Sequence, residues 1–341
     1  MNAPGEKLIA LMWKTLVKDG AGSLLKPLQI RRESRANAEA RRHELLMLAQ
    51  IEMDVADVRA GRAQYLPDGS LKKTGNEYKE LSSPNGALRI EPSLSLHPDL
   101  ITSKNHAEFI REEINQCKAI IYAEMQLSDD TQPPSSEEID NDWLHAWRDH
   151  AGKTSNENIQ KLWGSVLAGE LKCPGSYSLR TLEFLRCLSK QEAELIQRIA
   201  PFALYSQIIW RNIKTLEQAG ISYGALLKLQ ELGIIFGVET DSTTMDFKST
   251  VPDKFVKTFT LHGRVAIATH QDKYKIVDLP VINITTIGRE VIRLGQYQPN
   301  APYFSSLCKT IADKGFSVEI GDYIEHSNEQ IGVMNVEVFK P

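Results

Sequence analysis

Apolar residues recur at helical spacing over most of the chain. From Glu6 to Asp19, Leu8, Ile9, Leu11, Met12, Leu16 and Val17 surround Trp13, which predicts a short amphipathic helix ended by Gly20 and Gly22. Leu24, Leu25, Pro27, Leu28 and Ile30 form a further apolar patch. From Arg31 to about Arg62 the chain is rich in Ala, Glu, Arg, Leu and Met, without proline and with a late Gly61, which predicts a long helix. Pro67, Gly69, Gly75, Pro84, Gly86, Pro92 and Pro98 then punctuate a polar stretch that reads as a linker. Helix resumes near Lys104 and runs to about Gln126, and an acidic loop around Pro133 and Pro134 follows it.

Asp142 to Ala219 is the most helical block. Trp143 and Trp147 fall on one predicted helix. Ile159, Leu162, Trp163, Val166 and Leu167 stripe the next, which Pro174-Gly175 stops. Ser178 caps another, and Ser189 with Glu192 has the capping-box spacing that opens a fourth. Beyond Ala219 the period alternates. Ser222 caps a helix over Tyr223–Leu232, Thr285 or Thr286 caps one over Ile287–Leu294, and a last helix lies near Ser305–Lys314. Ile234–Val238, Phe255–Leu261, Val265–Thr269, Lys275–Val277, Ser317–Ile324 and Val333–Phe339 read as strands, while Asp241–Asp253 reads as a polar turn.

The implied fold is α+β and predominantly α. A long amino-terminal helical arm with an amphipathic head (1–63) and a linker (64–103) lead to a helical domain with an acidic loop (104–219). A small winged-helix-like mixed domain (220–341) closes the chain.

The 341 residues carry 40 Lys+Arg against 44 Asp+Glu, a formal net charge of −4, which argues against coating nucleic acid by bulk charge. Cys117, Cys173, Cys187 and Cys308 are widely spaced and form no CxxC pair, which suits a reducing cytoplasm rather than a zinc site or disulfide framework. The amino terminus lacks signal-peptide features, and no window holds about eighteen unbroken apolar residues. The expectation is a soluble cytoplasmic protein.

No catalytic residue, metal or cofactor is expected. His145 and His150 are five apart, unlike the spacing of a zinc hydrolase helix, and GxSxG, Walker A and strand-associated GxGxxG motifs do not occur. Asp246-Phe247-Lys248, with Glu239 and Asp241 upstream, has the acid-x-lysine spacing of a metal-dependent nuclease. Its setting in a Ser/Thr-rich segment favours a polar loop.

Binding chemistry is better supplied. Arg31, Arg32, Arg35, Arg41 and Arg42 form a collar that Glu33 and Glu39 reduce to a net charge of +3, and Arg211 and Lys214 lie farther on. These are candidate polyanion contacts. The head residues Leu8, Met12 and Trp13 next to the collar could rest on anionic lipid as a peripheral membrane contact; alternatively the head packs on the body or on a partner subunit of a homo-oligomer. In the winged-helix-like region the helix offered to nucleic acid carries only Lys228 and Gln230 against Glu231, with Lys254 and Lys257 in the wing.

Three central stretches, Leu162-Trp163-Gly-Ser-Val-Leu-Ala-Gly-Glu170, Pro174-Gly-Ser-Tyr-Ser-Leu-Arg-Thr-Leu182 and Leu188-Ser-Lys-Gln-Glu-Ala193, resemble an uncharacterised bacterial family, domain of unknown function 2806. Asp142-Trp143, Leu229–Ile235 and Thr286–Glu290 are similar to it as well. A looser likeness to abortive-infection proteins of phage defence implies a bacterial or prophage setting. The family has no assigned activity, so no catalytic role is implied for any residue. On physical grounds the motif is a staple: Trp163 and Leu167 share a helical face, Gly169 admits a close neighbour, and Glu170 and Arg180 are expected to bridge the Pro-Gly turn. The account this supports is a non-enzymatic interaction protein that self-associates, with nucleic-acid binding and a metal-dependent nuclease as alternatives.

Overall fold

Backbone packing divides the computed structural model into two units, Met1–Leu182 and Glu183–Pro341. The structure describes residues 5–18, 38–66, 70–73, 98–128, 130, 133–239, 244–326 and 330–340. Both helices and strands contribute, as expected for an α+β chain.

The amino-terminal unit is built around α3 (Pro98–Leu127). Along this helix Ile114, Cys117, Ala119, Ile120, Ile121 and Ala123 are fully buried, because neighbours pack on several of its faces. α1 (Glu6–Lys18) buries Leu8, Met12 and Leu16, one stripe at four-residue spacing, and packs on α3 and on α5 (Glu157–Lys172). The apolar head residues that the sequence offers to a lipid surface thus lie in the core.

α2 (Ala38–Arg59) is the long helix expected from Arg31, but it is not a projecting arm. Leu48, Val55 and Val58 are buried, α2 lies along α3, and Lys118 of α3 bonds Glu52. Gly61 ends the turn after α2 at φ 74°, a left-handed conformation that glycine adopts freely. A short hairpin of β1 (Ala63–Tyr65) and β2 (Leu71–Lys73) stands where the linker was expected to begin. α3 opens at Pro98, six residues before the expected start, with proline at a helix start where its missing N–H leaves nothing unpaired. Asp140 caps α4 (Asn141–Gly152) by accepting from the Trp143 amide, and Asn156 caps α5. α6 (Leu179–Cys187) carries the division between the units.

The carboxy-terminal unit opens with α7 (Lys190–Ile199), whose Ser189/Glu192 capping box is formed in full. Two strands unforeseen in the sequence follow, β3 (Ala203–Leu204) and β4 (Ile208–Trp210). Tyr205 and Ser206, at φ 52° and 55°, make the turn between them, closed by the Gln207 amide donating to the Leu204 carbonyl at 2.9 Å, in a left-handed conformation that neither residue type advertises. β4 pairs with β9 (Val277–Ile284), so residues 203–218 join this unit and not the helical domain. α8 (Ile213–Gln218) and α9 (Tyr223–Glu231) connect β4 to β5 (Ile235–Phe236). β5 and β6 (Thr244–Phe247) also pair with β9.

A second antiparallel sheet runs β11-β10-β8-β7, from β7 (Phe255–Leu261), β8 (Arg264–His270), β10 (Ser317–His326) and β11 (Gln330–Val338). α10 (Thr286–Ile292) and α11 (Ala301–Asp313) lie between β9 and β10 in the chain. Tyr303 of α11, fully buried, accepts from the Trp210 amide at 2.6 Å and donates to its carbonyl, fixing the helix to β4.

Candidate functional site

The central motif forms a helical staple. Trp147 and Trp163 are fully buried, and Trp147 Nε1 donates to the Trp163 carbonyl at 2.9 Å. Trp143 Nε1 donates to the Tyr177 carbonyl at 2.6 Å, while Asp142 is exposed in the first turn of α4. Leu167 is buried in the same core. Two glycines set the spacing. A Cβ at Gly164 would stand 2.8 Å from the Ala119 carbonyl of α3, and one at Gly169 would meet the Tyr177 ring at 2.7 Å. Close approach of helices therefore falls at Gly164, and Gly169 makes room for an aromatic ring.

Glu170 departs from expectation. Its buried carboxylate accepts from the amides of Gly175 at 2.6 Å and Tyr177 at 3.0 Å, closing the Pro174-Gly175 turn from within. Arg180 is exposed, and no hydrogen bond or ion pair joins it to Glu170 among the described residues. The amides of the turn lie closer in sequence to the carboxylate than any guanidinium, and a charged acceptor bonds them strongly.

Beside the staple, a polar network is buried at the junction of α3, α4 and α5. Asn115 Nδ2 donates to the Gly152 carbonyl at 2.6 Å, and Gln160 Nε2 donates to Asn115 Oδ1 and to the Thr154 carbonyl, each at 3.0 Å. These bonds fasten the α4–α5 loop. The His150 ring lies 5.6 Å from Trp163, inside the core and away from solvent. A cavity of about 50 Å³ lined by Leu11, Lys14, Glu138, Ile139 and Leu171 is water-sized rather than substrate-sized.

The polyanion candidates belong to different elements. Arg31, Arg32 and Arg35 lie outside the described residues, and Arg41 and Arg42 fall on α2. Lys214 is exposed on α8 and Arg211 is half-buried at its entry, where its amide donates to the Pro280 carbonyl. On α9, Gln230 is committed: Oε1 accepts from the Val238 amide at 2.9 Å and Nε2 donates to Glu239. Lys228 is near enough to Glu192 to help hold that carboxyl below its usual range, after the dominant hydrogen bonds from Ser189. α9 is left with little to read base edges.

Asp246-Phe247-Lys248 corrects another expectation. Asp246 and Phe247 belong to strand β6, not to a turn, because Phe247 buries its ring against Phe259 and Tyr205. Asp246 stands opposite Asp278 in the ladder, and Asp278 bonds Lys314 at 2.7 Å. Asp241 lies outside the described residues, and among the described residues no three acidic, histidine or cysteine side chains converge as metal ligands.

The region missed by sequence reasoning is the end of the β6–β9 ladder. Its last pair is Phe247 with Val277, so Lys248 and the β8–β9 loop meet there. Lys257 Nζ stands 5.9 Å from the Tyr205 ring and 6.0 Å from that of Phe247. Its signal in the sequence is Lys273-Tyr274-Lys275, of which only Lys275 falls in an expected strand.

A family model described as a protein of unknown function, DUF2806, matches residues 111–208, which include the tryptophan staple, the Glu170 turn and strand β3 of the carboxy-terminal unit. The match lends no support to the looser abortive-infection likeness. No curated protein and no solved structure matches the chain. Among the described residues no helix is long and apolar enough to cross a membrane.

Proposed function

We propose that this protein is a non-enzymatic, cytoplasmic interaction protein that works by docking onto macromolecules, first among them a second copy of itself. The observation that carries this is the outer strand β11. Among the described residues it is the outermost strand of its sheet, and Met334, Val336 and Val338 are 44%, 49% and 67% exposed along it. From Gln330 to Val336 the strand has no charged residue and no proline, the devices that usually keep edges from pairing. A bulge at Asn335, φ 54°, divides the edge and confines a ladder to short segments. Antiparallel pairing of two such edges closes on itself as a two-fold dimer. Light scattering across a concentration series tests it: a discrete oligomer is expected, and a monomer at every concentration overturns it.

A second reading, nucleic-acid binding, is favoured by topology. Strand β4, helices α8 and α9, strands β5 and β6 and return strand β9, with β9 between β4 and β5, follow the order of a winged-helix unit with α7 as its first helix. The β7–β8 hairpin is then an insertion in the wing. Salt-dependent DNA affinity tests this reading, and no mobility shift at low salt removes it.

A further inference from the structure

We propose that the β8–β9 loop, residues 271–276, is a contact for single-stranded nucleic acid, with Tyr274 as a stacking platform and Lys273 and Lys275 as phosphate partners; this rests on the nucleic-acid reading above. Tyr274 is 81% exposed, more than any other large hydrophobic side chain among the described residues. Such exposure normally accompanies a loose loop. Here the backbone is tied: the Asp272 amide donates to His270 Nδ1 at 3.0 Å, Asp272 Oδ1 accepts from the Tyr274 amide at 2.9 Å, and the Lys275 amide donates to the Asp272 carbonyl. An aromatic ring held outward by a hydrogen-bonded turn is preorganised to receive a flat partner.

The flanking charges are placed for phosphates. Lys273 Nζ lies 5.2 Å from the Tyr274 ring centre, and Lys275 Nζ lies 4.6 Å from that of Phe316 and donates to the exposed-loop Gly315 carbonyl at 3.4 Å, a contact that a phosphate would replace. Lys248 and Lys257 stand at the same end of the β6–β9 ladder. None of these four lysines forms an ion pair among the described residues, whereas Lys314 nearby is bonded to Asp278. Of the adjacent carboxylates, Asp272 accepts from the Tyr274 amide and Asp278 from Lys314, while the exposed Asp246 stands opposite Asp278. A cationic rim around an outward aromatic is the combination that binds single strands, since any unpaired base can stack while lysines track the backbone. An acidic peptide would use the lysines without needing the ring. Duplex DNA would hide the base faces that Tyr274 requires.

The test is fluorescence anisotropy of the full chain with a labelled single-stranded DNA oligonucleotide and its duplex, at stepped salt. The expected result is tighter binding of the single strand, a loss of about tenfold in Tyr274→Ala and retention in Tyr274→Phe. In Lys273→Ala/Lys275→Ala, affinity should fall at low salt and the log–log salt slope should shallow by about one to two. If the wild-type chain binds and these variants bind equally well, the loop assignment is wrong although the nucleic-acid reading stands. If the wild-type chain binds neither DNA, both fail. Preference for duplex with no effect of Tyr274→Ala also overturns the loop assignment.

Discussion

Trp147 Nε1 donates to the carbonyl of Trp163 across the α4–α5 hairpin, and both indoles are fully buried. Sixteen residues of chain are fixed by that contact, together with the Asn115–Gln160 bonds that hold the intervening loop. Trp163→Ala should cost about 3–5 kcal/mol, through lost burial and the cavity left behind. Trp147→Phe should cost less, about 1–3 kcal/mol, because most of the ring volume stays and one hydrogen bond goes. Urea denaturation followed by circular dichroism gives both values, and equal costs would show that the one hydrogen bond counts as much as the burial of the Trp163 indole.

Glu170 and Arg180 should respond unequally to truncation. Glu170→Ala removes a buried acceptor from the Gly175 and Tyr177 amides and should destabilise by about 2–4 kcal/mol. Arg180→Ala, at an exposed position, should stay within about 0.5 kcal/mol of wild type. Matching losses in the two variants would point to a bridge between them and against the turn-closing role.

Gly288 tests the packing beneath α10. Thr285 caps that helix, accepting from the Gly288 amide at 3.0 Å, and its hydroxyl also bonds the Gly233 carbonyl. A Cβ at Gly288 would stand 2.2 Å from the Ile234 carbonyl oxygen. Gly288→Ala should therefore destabilise by about 2–3 kcal/mol, although alanine is the better helix former. A neutral or stabilising result in thermal unfolding would show that this seam is slack.

Alkaline pH should weaken the carboxy-terminal unit. Burial holds the Tyr303 phenol protonated well above the ordinary value of 10.0, with the hydrogen bond to Trp210 opposing that shift. Burial likewise pushes the Cys308 thiol up to about 12. A group whose folded value is raised contributes stability that is complete below its unfolded value and is lost as pH rises past it. Unfolding free energy should fall with pH from about 9 upward, first through Cys308 and then through Tyr303, and the fall above about 10 should be shallower in Tyr303→Phe. A curve that is flat over that range, or is unchanged by the substitution, would place the phenol in contact with solvent.

Much of the fold was legible in the sequence where packing and local chemistry agreed. The Trp163/Leu167 stripe, the Ser189–Glu192 box and the Ser222 cap each specify their helix with a few adjacent residues. β3 and β4 were not legible, because two- and three-residue strands carry no period and their turn is made by Tyr205 and Ser206 rather than by Asn-Gly. β6 was hidden by its Ser/Thr-rich surroundings, since only Phe247 faces inward. The helix over Ala38–Arg59 read as an arm because its pattern shows an apolar stripe but not that the partner is α3. Of the motif residues, Trp163 and Leu167 were legible as packed positions, whereas the partner of Glu170 was not. The lysines at the end of the β6–β9 ladder were not legible either, since Lys248 and Lys273 lie far apart in the chain and only the β6–β9 register joins them.

The outer edge of β11 offers the most direct test of the central claim. Hydrogen–deuterium exchange of its amides should be measured at high and low protein concentration. Amides of β11 that point away from β10 should be protected in concentrated protein and should exchange rapidly on dilution, and Val338→Lys should abolish the difference. Exchange at one rate over the whole concentration range would contradict self-association through this strand.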